Sequence, residues 1–205
     1  MTTKIRYTLD QILIFSIFSA FLLMMPNVLH AQFTEFEPEF YYQQSLAIQK
    51  TGMIVLTSWA GLNLLTGITG NFKYESESKY FFQMNAAWNV VNLGIAAFGL
   101  AGISNALLDV DSSYMLSELQ KFDRILLISA GLDILYIATG SLLLNKGLNE
   151  NKSRFIGYGR SIILQGGFLF LFDLILYLSH QPYTKSLFQI TEKINVSTAG
   201  LTISF

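Results

Sequence analysis

Residues 125–144 read ILLISAGLDILYIATGSLLL, an apolar run with no proline and one charge, Asp133. A helix needs about 20 apolar residues to cross roughly 30 Å of hydrocarbon, and this run has that length. Three further stretches have the same character, at 51–70, 84–104 and 161–180. Polar connectors are expected between them, at 71–83, 105–124 and 145–160. Backbone groups in lipid must find partners within their own segment, so each stretch is expected to be a helix. The alternation that a membrane barrel needs is missing from the centre of the chain. The expected fold class is an all-α membrane protein, a four-helix transmembrane bundle preceded by an N-terminal signal helix.

The composition of the 205 residues agrees, with 52% hydrophobic and only 13% charged. Ordinary soluble domains carry roughly a quarter charged residues. A net charge of −1 without a basic block gives nucleic acid no electrostatic handle. Cysteine is absent, which excludes disulfides, thiolate metal sites and thiol redox chemistry. Of the two histidines, His30 falls in an N-terminal run that reads as a signal peptide and only His180 stays in the mature fold. A bis-imidazole haem or a zinc centre is therefore not expected there, and no metal and no cofactor is expected.

The flanks carry their own signals. Lys4 and Arg6, an apolar run at 12–25, Pro26 and the exit Ala31-Gln32 read as a signal peptide over 1–31, cleaved after Ala31. An uncleaved anchor is the alternative. In 32–50, Pro38 after Glu35 and Glu37 suits the first turn of an interfacial helix. That helix would place Phe40, Tyr41 and Tyr42 at the headgroup level. Asp111, with Ser112 and Ser113, offers a cap for a later helix. In the tail 181–205, Ile194, Val196, Leu201, Ile203 and Phe205 alternate around Ala199-Gly200, which predicts a short β-hairpin.

Removal of the signal leaves the mature N-terminus outside the cytoplasm. Connectors 71–83 and 145–160 then face inward, with Lys73, Lys79, Lys146, Lys152, Arg154 and Arg160. The outer segments hold Lys50, Lys121, Arg124, Lys185 and Lys193 over a greater length. Positive charge is denser inside, as the orientation rule requires. The expected location is the bacterial inner membrane, with both mature termini periplasmic and the lipid bilayer as the first partner.

Two segments match each other without a gap: WAGLNLLTGITG at 59–70 and SAGLDILYIATG at 129–140 share six identical positions. Asn63 falls opposite Asp133. With three extra residues in the third connector, 92–94 falls opposite 165–167. The pattern reads as a two-helix hairpin used twice, the copies parallel and related by an axis along the membrane normal. Polar residues at equivalent positions are then expected to face one another near that axis.

Within each span the polar residues recur at steps of three and four, which places them on one side of a helix. They are Trp59, Asn63 and Thr66 in the first span, then Asn85, Trp88, Asn89 and Asn92 in the second. Ser129, Asp133 and Tyr136 follow in the third, and Gln165, Asp173 and Tyr177 in the fourth. Asp133 and Asp173 stand out. A carboxylate at mid-membrane costs about 2.5–3.5 kcal/mol on insertion scales, and no Lys or Arg shares their depth. Such a group must be protonated, bind a cation, or collect donors. Asn63, Asn92, Gln165, Trp59, Trp88, Tyr136 and Tyr177 are the candidate donors. Two readings stand: a proton or cation site, or a hydrogen-bonded plug that fixes helix register. Arg154 and Arg160, flanking Gly157-Tyr158-Gly159, are candidates for contact with a phosphate or an anionic headgroup. The bland alternative is that they obey the positive-inside rule.

The motifs AGLD-x-x-Y (130–136), GYGR (157–160) and LQGGFLFLFD (164–173) resemble a family of small, functionally uncharacterised four-helix membrane proteins of Bacteroidota. The resemblance implies a four-helix inner-membrane protein and brings no activity, substrate or catalytic residue. The leading expectation is a structural or interaction subunit of a membrane assembly, partnered by another membrane protein or by its own copies. The alternative is a small proton- or cation-coupled transporter or channel working through the two aspartates. No nucleophile, metal set or cofactor motif points to an enzyme. Four short helices with bulky apolar faces are expected to leave little interior for a solute path unless the protein oligomerises.

Overall fold

The computed structural model describes residues 37–202 apart from residue 109, so the expected signal segment 1–31 lies outside the described residues. Four helices follow in order: α1 (Pro38–Lys73), α2 (Ser76–Ser104), α3 (Ser112–Glu150) and α4 (Ser153–Thr202). All four are long and apolar enough to cross a membrane, and no strand occurs among the described residues.

The helix ends follow local chemistry. Pro38 occupies the first turn of α1, where its missing N–H has no helical partner to lose. Asp111 Oδ1 caps α3 by accepting from Ser113 N at 2.8 Å and Tyr114 N at 3.0 Å. At the far end of α3, Asn151 takes the left-handed conformation at φ 52°, which asparagine tolerates. Lys152 N then bonds back to Gly147 O at 2.9 Å, and α4 begins at once.

The connectors are much shorter than expected. Only residues 74–75 separate α1 from α2, and only 151–152 separate α3 from α4. Most of the expected connectors 71–83 and 145–160 is helix, because polarity marks where a helix leaves lipid rather than where it stops. The two turns lie side by side, with Ser76 Oγ and Ser153 Oγ 3.0 Å apart. This is the turn end of the bundle. The other end, which carries the 105–111 connection, is the loop end.

The hairpins α1–α2 and α3–α4 make the largest contacts, α4 touches all three other helices, and α2 hardly meets α3. Glycine makes the α3–α4 seam close: a Cβ added at Gly159 would stand 2.6 Å from Leu144 N and 2.7 Å from Gly140 O. Small residues of this kind let backbones approach in lipid, where hydrophobicity cannot drive association.

The bundle buries polar side chains among apolar ones and exposes many large apolar side chains on its outside. Asn89, Gln165 and Ser161 are fully buried, whereas Phe72 and Phe98 are 84% and 83% exposed. Water would favour the reverse, so this distribution suits a lipid surround.

The tail corrects the expected hairpin. α4 has 50 residues, about 75 Å at a rise of ~1.5 Å per residue, far beyond ~30 Å of hydrocarbon. Its last turns join the starts of α1 and α3 around Tyr41, Tyr42, Met115, Leu119 and Leu187. Leu187 and Thr191 are buried, and Tyr183 and Ile190 pack against the same cluster. These steps of three and four override the shorter alternation at Ile194 and Val196. Both of those residues are exposed, so no packed layer rewards a strand there. Residues 203–205 lie outside the described part.

Candidate functional site

The polar residues expected to form one centre fall into two groups. The first is a closed ring of hydrogen bonds joining α1, α2 and α4. Trp59 Nε1 donates to Gln165 Oε1 at 3.1 Å, and Gln165 Nε2 donates to Asn85 Oδ1. Asn85 Nδ2 donates to Asn63 Oδ1 at 2.9 Å, and Asn63 Nδ2 returns to Trp59 O at 2.8 Å. Phe168 stacks on the Trp59 ring at 3.8 Å between centroids, holding the indole so that its N–H points at Gln165. Asn89 extends the ring through Asn85 O, and Asn92 Nδ2 donates to Asn89 Oδ1 at 3.2 Å. This group is built from amides and one indole and contains neither aspartate.

The second group lines a cavity of about 540 Å³ between α2 and α3. Trp88 and Asn92 contribute from α2, Asp133 and Tyr136 from α3, and Asp173 from α4. The expectation of little interior space is therefore corrected: α2 and α3 stand apart, and the space between them remains open. Val91, Ile95, Ile125 and Leu132 line the cavity and are exposed on the flank of the bundle, so it opens sideways between the two helices. Gln49, Glu118 and Lys121 line its loop-end part. Trp88 and Tyr136 meet edge to face, with ring centroids 4.8 Å apart.

Asp133 is 3% exposed and Asp173 is 8% exposed. The carboxyl of Asp173 comes within hydrogen-bonding reach of Asp133. Asp133 Oδ2 is buried and meets no N–H or hydroxyl donor, and neither acid has a Lys, Arg or His partner among the described residues. Two carboxylates at this separation repel strongly when both are ionised, so the pair requires a shared proton or a positive ligand.

Asn63 and Asp133, opposite each other in the repeat alignment, do not meet. Asn63 pairs with Asn85 of α2, and Asp133 pairs with Asp173 of α4. Each partner lies within the residue's own hairpin.

Arg154 and Arg160 sit at the turn end. Arg160 Nη1 pairs with Glu77 Oε2 at 2.8 Å, and the Arg154 guanidinium lies 5.1 Å from the Tyr158 ring centre. The intervening glycines are inside α4 rather than in an anion-cradling loop. Gly157 packs so tightly on α2 that an added Cβ would stand 2.3 Å from Glu77 O.

One buried cluster has no counterpart among the sequence candidates. His180 is fully buried, with Nδ1 2.7 Å from Asp123 Oδ1 and Nε2 3.2 Å from Gln49 Nε2. With Gln49 donating to Nε2, the imidazole proton sits on Nδ1 and is donated to Asp123. Three helices are tied together there, beside the loop-end part of the cavity that Gln49 lines. Sequence position placed His180 at the edge of a span, and nothing local connected it to Asp123 in the preceding helix.

A family of unknown function, DUF6992, matches residues 55–174. The chain belongs to this family. The DUF6992 match ends just past Asp173 and takes in the whole amide ring and both aspartates. The loop-end extensions of α1 and α4 lie outside it. No curated protein and no solved structure matches the chain.

Proposed function

We propose that this integral membrane protein is a small proton- or cation-coupled carrier, with Asp133 and Asp173 as its binding pair. The observation that carries the reading is a pair of buried carboxyl groups on the wall of a cavity, without a Lys, Arg or His partner among the described residues and with Asp133 Oδ2 meeting no N–H or hydroxyl donor. A plug would satisfy its polar atoms internally, as the amide ring does. The acid pair instead leaves an acceptor for something that arrives and leaves. The turn end gathers Lys73, Lys79, Lys146, Lys152, Arg154 and Arg160, which supports a cytoplasmic turn end and a periplasmic loop end in a bacterial inner membrane. The resemblance to Bacteroidota proteins supports the same location. Exposed Arg154 remains available to a lipid headgroup. That Gly70 and Gly140 both pack closely against their hairpin partners supports the duplication.

Thermal unfolding of the purified protein tests the carrier reading. The melting temperature is expected to shift with sodium concentration or with pH between 5 and 9. Asp133→Asn with Asp173→Asn is expected to remove that response while preserving the fold. A flat response in the wild type overturns the reading.

A subunit role is supported by a different observation. Leu107, Tyr114, Phe188 and Val196 are exposed at the loop end, where α1, α3 and α4 extend past the length a membrane needs. Mass measurement of the complex released in mild detergent tests this reading: a stoichiometric assembly supports it, and a lone monomer counts against it.

A further inference from the structure

Resting on the carboxyl-pair reading, we infer that the ligand of this cavity is an organic ammonium ion with apolar substituents, entering from the bilayer between α2 and α3. Four observations converge. First, about 540 Å³ is far more than a bare ion fills and lies within the ~300–1,000 Å³ range of sites for small organic molecules. Second, the acid pair supplies negative charge but few ligands. Among the described residues no group of three His, Cys, Asp or Glu is placed to hold a metal ion, and a hard divalent cation needs six or more oxygens. An ammonium group needs only one or two acceptors and a counter-charge.

Third, Trp88 and Tyr136 line the same cavity in edge-to-face contact, and Tyr136 lies one turn from Asp133 on α3. Electron-rich rings beside a carboxylate are the usual surroundings of an organic ammonium, which draws on both the charge and the ring faces. Fourth, Met53, Leu56 and Leu169 line the rest of the wall, and the sideways opening through Val91, Ile95 and Ile125 faces the apolar flank. That wall suits alkyl groups and the opening suits a lipid-soluble molecule. Asp133 Oδ2, which meets no N–H or hydroxyl donor, is the natural acceptor for the ammonium N–H or for the cationic charge.

Tetraethylammonium and n-hexylammonium, titrated against sodium at matched ionic strength, test the inference through two readouts. One is melting temperature; the other is tryptophan fluorescence, which arises from two residues alone, Trp59 and Trp88. Both ammonium ions are expected to raise the melting temperature and to change the fluorescence in the wild type. Asp133→Asn is expected to abolish both effects. Trp88→Leu is expected to weaken ammonium binding about tenfold while leaving any pH or sodium response in place. Should Trp88→Leu fail to fold, Tyr136→Leu serves the same purpose. A pH or sodium response that depends on the aspartates, without any ammonium effect, overturns the ligand class and leaves the carrier reading intact. Loss of every aspartate-dependent response overturns both. Ammonium binding that Trp88→Leu and Tyr136→Leu leave unchanged refutes the aromatic contribution, and the inference with it.

Discussion

Gly159→Leu is expected to separate α3 from α4 and to sharply lower the yield of folded protein. A Cβ at this position meets Leu144 N at 2.6 Å and Gly140 O at 2.7 Å, and both are backbone atoms. Overpacking costs about 1–3 kcal/mol where side chains can shift aside. Here no side chain stands in the way to move, so whole helices must part, and the expected loss is ~3 kcal/mol or more. Gly131→Leu is the matched control. It lies in α3, has nothing within 4 Å of an added Cβ, and is expected to melt with the wild type. Thermal unfolding in detergent of both variants decides the matter; equal behaviour would show that the seam is not where the bundle is held.

Gln165→Leu is the second large effect. The substitution keeps approximate volume but removes both an acceptor and a donor from a fully buried ring. Trp59 Nε1 and Asn85 Oδ1 lose their partners together. Each buried group left unpaired costs about 1–3 kcal/mol, while interhelical bonds in membranes measure lower, up to ~1.7 kcal/mol. Two orphaned groups place the expected loss at about 2–3 kcal/mol. Gln165→Glu offers a complementary measurement: its neutral carboxyl both accepts from Trp59 and donates its O–H to Asn85, so it is expected to lose far less than Gln165→Leu while protonation leaves it neutral. A Gln165→Leu protein as stable as the wild type would remove the ring from any account of the fold.

Much of this architecture was legible in the sequence, for physical reasons that also explain the misses. Span length and hydropathy locate four helices because hydrocarbon thickness is a fixed ruler. Pro38 and Asp111 mark starts because their chemistry is local, and both stand where expected. The tail departs from its sequence pattern because alternation at Ile194 and Val196 is a local cue. What decides the outcome there is long-range packing of Leu187 against Tyr42 and Leu119. The polar stripe was visible, but its division was not. Periodicity assigns a residue to a face and does not name the neighbour on that face. Asn63, Trp59 and Gln165 therefore looked equivalent to Asn92, Trp88 and Asp133, although one set closes a ring and the other lines a cavity. Asn85, the hub of the ring, belonged to the same stripe yet carried nothing to set it apart from Asn89. The contact of His180 with Asp123 spans 57 positions in sequence and has no local trace. The cavity was equally invisible, since it depends on how far apart α2 and α3 stand.

The ring of Trp59, Gln165, Asn85 and Asn63 is made entirely of groups without formal charge. A transmembrane voltage does work of about 2.3 kcal/mol per elementary charge per 100 mV, and on carboxamides and an indole it has almost nothing to act upon. The α1–α2–α4 junction is thus held equally firmly in an energised and a de-energised cell. Electrical sensitivity in this protein can arise only at its ionisable groups, Asp133, Asp173 and the Asp123–His180 pair among them.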